Sequence, residues 1–127
     1  MHQNCDMATD ANARTVFLKT LEELLAVTAA NVERSNLIRE RIARLKAQVA
    51  EGVPLVESLA KEESPLVVEL ITENIFALQE VGARLRWSEA VLLNADGMTV
   101  ADIARLFGVS RQRVSALINT PPAAVDG

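Results

Sequence analysis

Apolar residues recur every three or four positions over the first fifty residues: Val16, Phe17, Leu18, Leu21, Leu24, Leu25 and Val32, then Ile38, Ile42, Leu45 and Val49. This period predicts a helix from a cap at Thr9 or Asp10 to about Ala50. The later set is spaced four, three and four, as in a coiled coil. Leu18, Leu21, Leu25, Thr28, Val32 and Ser35 give another such run, and the step from Ser35 to Ile38 breaks its phase. Asn31, Ser35 and Asn36 therefore mark a kink, a polar layer or a turn between two helices. Unbroken, the helix would reach roughly 60 Å. A stripe this narrow on so long a helix needs a partner, and residues 16–49 are read as a homodimer seam.

Beyond it, Glu51-Gly52-Val53-Pro54 is a helix stop, and Pro54 to about Glu62 reads as a short helix. Ser64 is the expected cap and Pro65 the expected first position of the next helix. That helix is expected to end at Val81 or Gly82, with Leu66, Leu70, Ile71, Ile75, Leu78 and Val81 on its inner side. A separate helix follows over Leu85 to Ala95, then a turn at Asp96-Gly97. Thr99 caps the next helix, with Asp102 three residues on in an Asp version of the capping box.

Thr99 to Asn119 carries the most specific pattern. Ile103 and Phe107 form the inner face of one short helix, and Ala104 is small where a second must cross. Gly108 suits a positive φ at the turn, Val109 plugs that turn from the core side, and Ser110 caps the second helix. Val114, Leu117 and Ile118 give the second helix its buried face. Counted from Val100, the small Ala is fifth, the Gly ninth, and apolar residues fall at ten, fifteen and eighteen. These are the positions of a helix-turn-helix. With no strand needed anywhere, the expected fold is all-α: a long N-terminal helix, or kinked helix pair, then a small helical domain ending in that motif.

Gly108 to Ser115 is similar to the recognition-helix segment of region 4 of bacterial sigma factors and of many small bacterial transcriptional regulators. The resemblance covers about a quarter of the chain and implies a unit that binds double-stranded DNA. A full sigma factor is not expected, because the chain has no room for a promoter-melting region.

On the second helix, with Val114 facing inward, Gln112, Ser115, Ala116 and Asn119 fall on the outward stripe. Gln and Asn match adenine bidentately, and the Ala methyl matches that of thymine. Arg111 and Arg113 flank the stripe, in reach of phosphates. Ser110 and Thr99 sit at helix N-termini, where free N–H groups favour phosphate. Arg84 and Arg86, just upstream, are candidate backbone contacts. Gln112, Ser115, Ala116 and Asn119 are thus expected to specify sequence and the Arg residues to supply affinity. Trp87 is read as a core residue behind the motif.

Charge distribution agrees. From Arg84 to Asn119 five Arg meet Glu89, Asp96 and Asp102, a net +2, whereas Glu51 to Ala83 holds seven Glu against Lys61, a net −6. So small a basic excess favours two copies of the reading head. Half of the 127 residues are hydrophobic and only 3% aromatic, which suits a Leu/Ile/Val/Ala helical core. Cys5 and His2 are the only residues of their kinds, so neither a disulfide nor a histidine-based metal cluster or triad can form within one chain. Glu69 and Glu73, one turn apart, lack the partners of a metal site. No nucleophile elbow or phosphate-cradling loop is present, so neither catalysis nor a cofactor is expected. A small apolar pocket between the middle helices would be the place for any ligand. No apolar run is long enough for a membrane span, and a cytoplasmic, nucleoid-associated location is expected.

The chain is thus parsed as a disordered tail (1–10), a dimerising helix (11–51), acidic linking helices (52–83), a DNA-binding domain (84–119) and a flexible tail (120–127). Two functions compete. One is a homodimeric, sequence-specific regulator of transcription. The other is an adaptor whose long helix and bihelical unit dock a protein of the transcription machinery. Salt-sensitive binding to duplex DNA separates them.

Overall fold

The computed structural model describes the backbone of residues 2–122 and the side chains of residues 11–122. Five helices follow one another, with no strand among the described residues: α1 (His2–Ala50), α2 (Leu55–Ala60), α3 (Val67–Ala95), α4 (Val100–Phe107) and α5 (Arg111–Asn119). The all-α expectation holds. The side chains of His2 and Cys5, and the expected flexible tail from residue 123 onward, lie outside the described residues. No described helix is long and apolar enough to cross a membrane. No group of three or more His, Cys, Asp or Glu among the described residues is placed to hold a metal ion.

One expected boundary is absent: the start placed at Thr9 or Asp10 falls inside α1, which covers the backbone of residues 2–10. Of the three readings open at Asn31, Ser35 and Asn36, the polar layer is the one seen, and α1 runs through it without a turn. The covered side of α1 runs through Val27, Asn31, Arg34, Ile38, Arg41, Leu45 and Gln48, an unbroken alternation of four and three. Counting apolar residues alone hid this stripe, because Asn31, Arg34 and Arg41 belong to it. The phase change marks a polar layer. Asn31 Nδ2 donates to the Asn74 carbonyl (3.3 Å), Arg34 donates to Asn74 Oδ1 (3.2 Å), and Asn74 Nδ2 donates to Ser35 Oγ (3.2 Å). Arg34 also pairs with Glu73 at 3.4 Å.

A second correction concerns Gly82. The two helices expected on either side of it are one, α3. Glycine inside a helix costs about 1 kcal/mol against alanine, too little to end a helix whose buried stripe runs on from Leu70 through Val81 to Ser88 and Ala90. The start of α3 moves as well, from Pro65 to Val67. Two carboxylates supply the caps there: Glu69 accepts from the Leu66 N–H (3.1 Å), and Glu62 from the Val67 N–H (2.6 Å). Glu69 thus fills the glutamate position of a capping box, while Ser64 plays no part.

The chain forms two compact units, Ala26–Gln79 and Met1–Leu25 with Glu80–Gly127. The second of these takes its residues from both ends of the chain. In the middle unit, α1 and α3 run antiparallel around the polar layer, with α2 lying across the end of α1. Arg41 donates to the carbonyls of Glu63 and Pro65, fastening the loop before α3. The cavity beside α2, about 50 Å³, is lined mainly by charged residues (Arg41, Arg44, Lys61, Glu62 and Glu63) instead of the apolar walls expected.

Candidate nucleic-acid interface

The unit of both chain ends is held on one side by α1. Ala13 and Thr20 are buried there, and two ion pairs tie α1 to α3: Arg14 with Asp96 (3.0 Å) and Glu23 with Arg84 (2.9 Å). Its centre is the cluster of Ala90, Ile103, Ala104 and Val114. Leu93, Met98, Val100, Phe107, Leu117 and Ile118 pack around it. Ile103, Val114 and Ala90 have no exposed surface, so the three helices α3, α4 and α5 share one core. Ala104 has the size required for α5 to cross α4 closely, as its place in the pattern predicts.

The turns on either side of α4 use one backbone device. At the end of α3, Met98 N–H reaches the Leu93 carbonyl (2.9 Å) and Gly97 N–H the Asn94 carbonyl (3.1 Å), with Gly97 at φ 105°. At the end of α4, Val109 N–H reaches the Ala104 carbonyl (3.0 Å) and Gly108 N–H the Arg105 carbonyl (3.3 Å), with Gly108 at φ 71°. Both are Schellman closures, which need a left-handed residue that glycine supplies without strain. Val109 thus serves the turn through its backbone. Its side chain is 36% exposed, and the core-side plug expected of it is not seen.

Each short helix is opened by a hydroxyl. Thr99 Oγ1 accepts from the Asp102 N–H and Ser110 Oγ from the Arg113 N–H, both at 3.1 Å. Both caps sit in extended backbone, as an N-cap requires. The Asp102 carboxyl lies below its ordinary value of 3.8 because of hydrogen bonds from the Thr99 side chain and then from Arg105, its ion-pair partner one turn on.

The expected reading stripe is open. Gln112, Ser115, Ala116 and Asn119 are exposed on α5 away from Val114, Arg111 and Arg113 are exposed at their flanks, and Ser110 and Thr99 are exposed at the two helix starts. Among the described residues, no ion pair or side-chain hydrogen bond engages Arg111, Arg113, Gln112 or Asn119. The two upstream arginines are differently placed. Arg84 is committed to Glu23, and the Arg86 guanidinium lies 4.3 Å from the centre of the Phe107 ring. Stacked on Phe107, Arg86 covers the end of α4 with its charge still outward. Trp87 is half-buried in α3, as expected of a core residue, and its Nε1 finds no partner among the described residues. Sequence reasoning omitted Arg105, which stands exposed on α4 with Asp102. The signal available was the three-residue spacing of the two charges.

No curated protein and no solved structure matches the chain. Residues 79–121, which take in the end of α3 with α4 and α5, match the family model of the Homeodomain-like domain. The geometry and the match agree: this segment is similar to the homeodomain-like helix-turn-helix, and the likeness points to DNA as its partner.

Proposed function

We propose that the protein is a sequence-specific regulator of transcription that binds duplex DNA as a homodimer, with α5 in the major groove. The observation that carries this reading is the open polar stripe of α5, flanked by two arginines with no ion pair among the described residues and set on a three-helix core. Gln112, Ser115, Ala116 and Asn119 face base edges. Arg111 and Arg113 hold the phosphates on either side. Thr99 and Ser110 bring helix N-termini to the backbone. Arg86 supplies a further backbone contact from its place over Phe107, while Arg84 serves the fold. The resemblance of Gly108–Ser115 to sigma region 4 supports a role in transcription.

Dimerisation follows from the strength a single head can reach. A net +2 over Arg84–Asn119 gives weak non-specific attraction, and two linked heads raise affinity without new contacts per head. Residues 16–49 of α1 supply the seam: Leu18, Leu25, Val32, Ile42 and Val49 all stand exposed along it. Two heads on one DNA face need centres about 34 Å apart.

Selection of bound duplexes from a random pool tests the proposal. The native chain should enrich an inverted repeat that an Arg111→Ala, Gln112→Ala double variant does not. No enrichment, with no binding at low salt, would reject the DNA reading in favour of a protein-docking role.

A further inference from the structure

In the middle unit the exposed apolar residues are not confined to α1. Along α3, Val68, Ile71, Ile75 and Leu78 are spaced three, four and three, and all four are exposed, Val68 at 65% and Ile75 at 54%. This stripe lies to one side of the buried line through Leu70, Asn74 and Val81. It meets the exposed stripe of α1 at an open groove: Asn31 and Asn74 form the floor, with Val32 on one wall and Ile75 and Leu78 on the other. Two helices therefore present exposed apolar residues on either side of one groove, interspersed with Ser35, Asn36 and Arg39.

We propose that this face is covered by the same face of a second copy, so that α1 and α3 of each protomer form a four-helix interface. The idea rests on the homodimer reading above and extends it: the acidic segment taken as a linker becomes half of the seam.

Two observations select a second copy as the occupant. The first is area. Val32, Ile42, Val49, Val68, Ile71, Ile75 and Leu78 are each between 41% and 65% exposed. At roughly 80–100 Å² each they offer on the order of 600–700 Å² per copy, near the ~800 Å² per partner of a standard stable interface. The largest apolar patch on a lone monomer is about 300–600 Å², below this total. The second is charge. Residues 31–50 carry Arg34, Arg39, Arg41, Arg44 and Lys46 against Glu33 and Glu40, a net +3, while residues 51–79 carry six Glu against Lys61, a net −5. Arg39 and Lys46, exposed on the α1 stripe, have no ion pair among the described residues, and neither does Glu57 on α2. A twofold pairing that sets α1 of one copy against the α2–α3 segment of the other brings these opposite charges together twice, as isologous interfaces do.

Sedimentation equilibrium on the full chain tests this with two variants. Ile71→Glu/Ile75→Glu alters only α3, and Val32→Glu alters only α1. Circular dichroism reports that the helices persist, which the exposure of all three sites predicts. The expected result is a native dimer and a dissociation constant raised at least 100-fold by either variant. A native dimer that the α1 variant dissociates and the α3 variant leaves intact would overturn the proposal and spare the homodimer reading. A native chain that stays monomeric at high concentration would overturn both. A dimer indifferent to both variants would place the seam elsewhere and overturn the proposal.

Discussion

Thr99 and Ser110 each spend a hydroxyl on one backbone N–H, and a cap of this kind is worth about 1 kcal/mol. Thr99→Ala and Ser110→Ala should each lower the unfolding free energy by about that amount in urea titrations, without changing helix content. Asp102 adds a dependence on pH. Its carboxyl lies below 3.8 in the folded chain, so its stabilising contribution is present in full above that value. It is lost as pH falls through the lowered folded value. Thermal unfolding between pH 5 and pH 2 should show this loss, and Asp102→Asn should remove that part of the slope. The proposed readers of DNA separate by chemistry. Gln112→Ala should relax the preference at one base pair by about 1–3 kcal/mol. Arg113→Ala should weaken all sequences alike and reduce the salt slope by about one. Competition binding at several salt concentrations distinguishes them. The exposure of these residues was legible in the sequence because a helix-turn-helix fixes which positions must be small, apolar or left-handed, and what remains on α5 must face outward. Arg84 was not, since its partner Glu23 lies sixty-one residues away.

Elements are where the sequence misled, and the reason is physical. Gly82 looks like a helix end, yet a glycine ends a helix only where the chain needs a left-handed residue, and Gly82 is not among the positive-φ glycines. Alanine at Gly82 and at Gly108 would meet no atom within 4 Å, so backbone conformation decides the sign in each case. Gly82→Ala should stabilise the protein by about 0.5–1 kcal/mol. Gly108→Ala, forced to φ 71°, should destabilise it by at least about 1 kcal/mol. The midpoints of urea unfolding should move in opposite directions. The long helix taught the converse lesson. Its covered stripe contains Asn31 and Arg34, and a count of apolar residues cannot follow a stripe whose contacts are partly hydrogen bonds. With those contacts in view, the sequence gap at Asn31 to Asn36 becomes a match to Asn74, and the register of α1 on α3 is set there.

At the scale of the molecule, the unit that holds the helix-turn-helix draws its helices from both ends of the chain. This was not visible in the sequence, since nothing local to residues 11–25 says that Ala13 and Thr20 pack against a partner encoded after residue 80. Deleting residues 2–25 removes those buried contacts and both ion pairs. The melting temperature of the helix-turn-helix should fall by about 10 °C or more, as read by the near-ultraviolet signal of Trp87. An unchanged melting curve would mean that the three C-terminal helices stand alone. The same arrangement governs when the head can form. Bringing residue 25 to residue 80 closes a loop of about fifty residues, at a cost of about 3.5 kcal/mol, which the antiparallel pairing in the middle unit offsets beforehand. On the ribosome, residues 2–25 emerge early and wait for α4 and α5 to follow. If the middle unit pairs copies and the helix-turn-helix grips DNA, as proposed, a product that stalls in the middle unit would hold the pairing surface without the grip, and would sequester the intact protein in inactive mixed dimers.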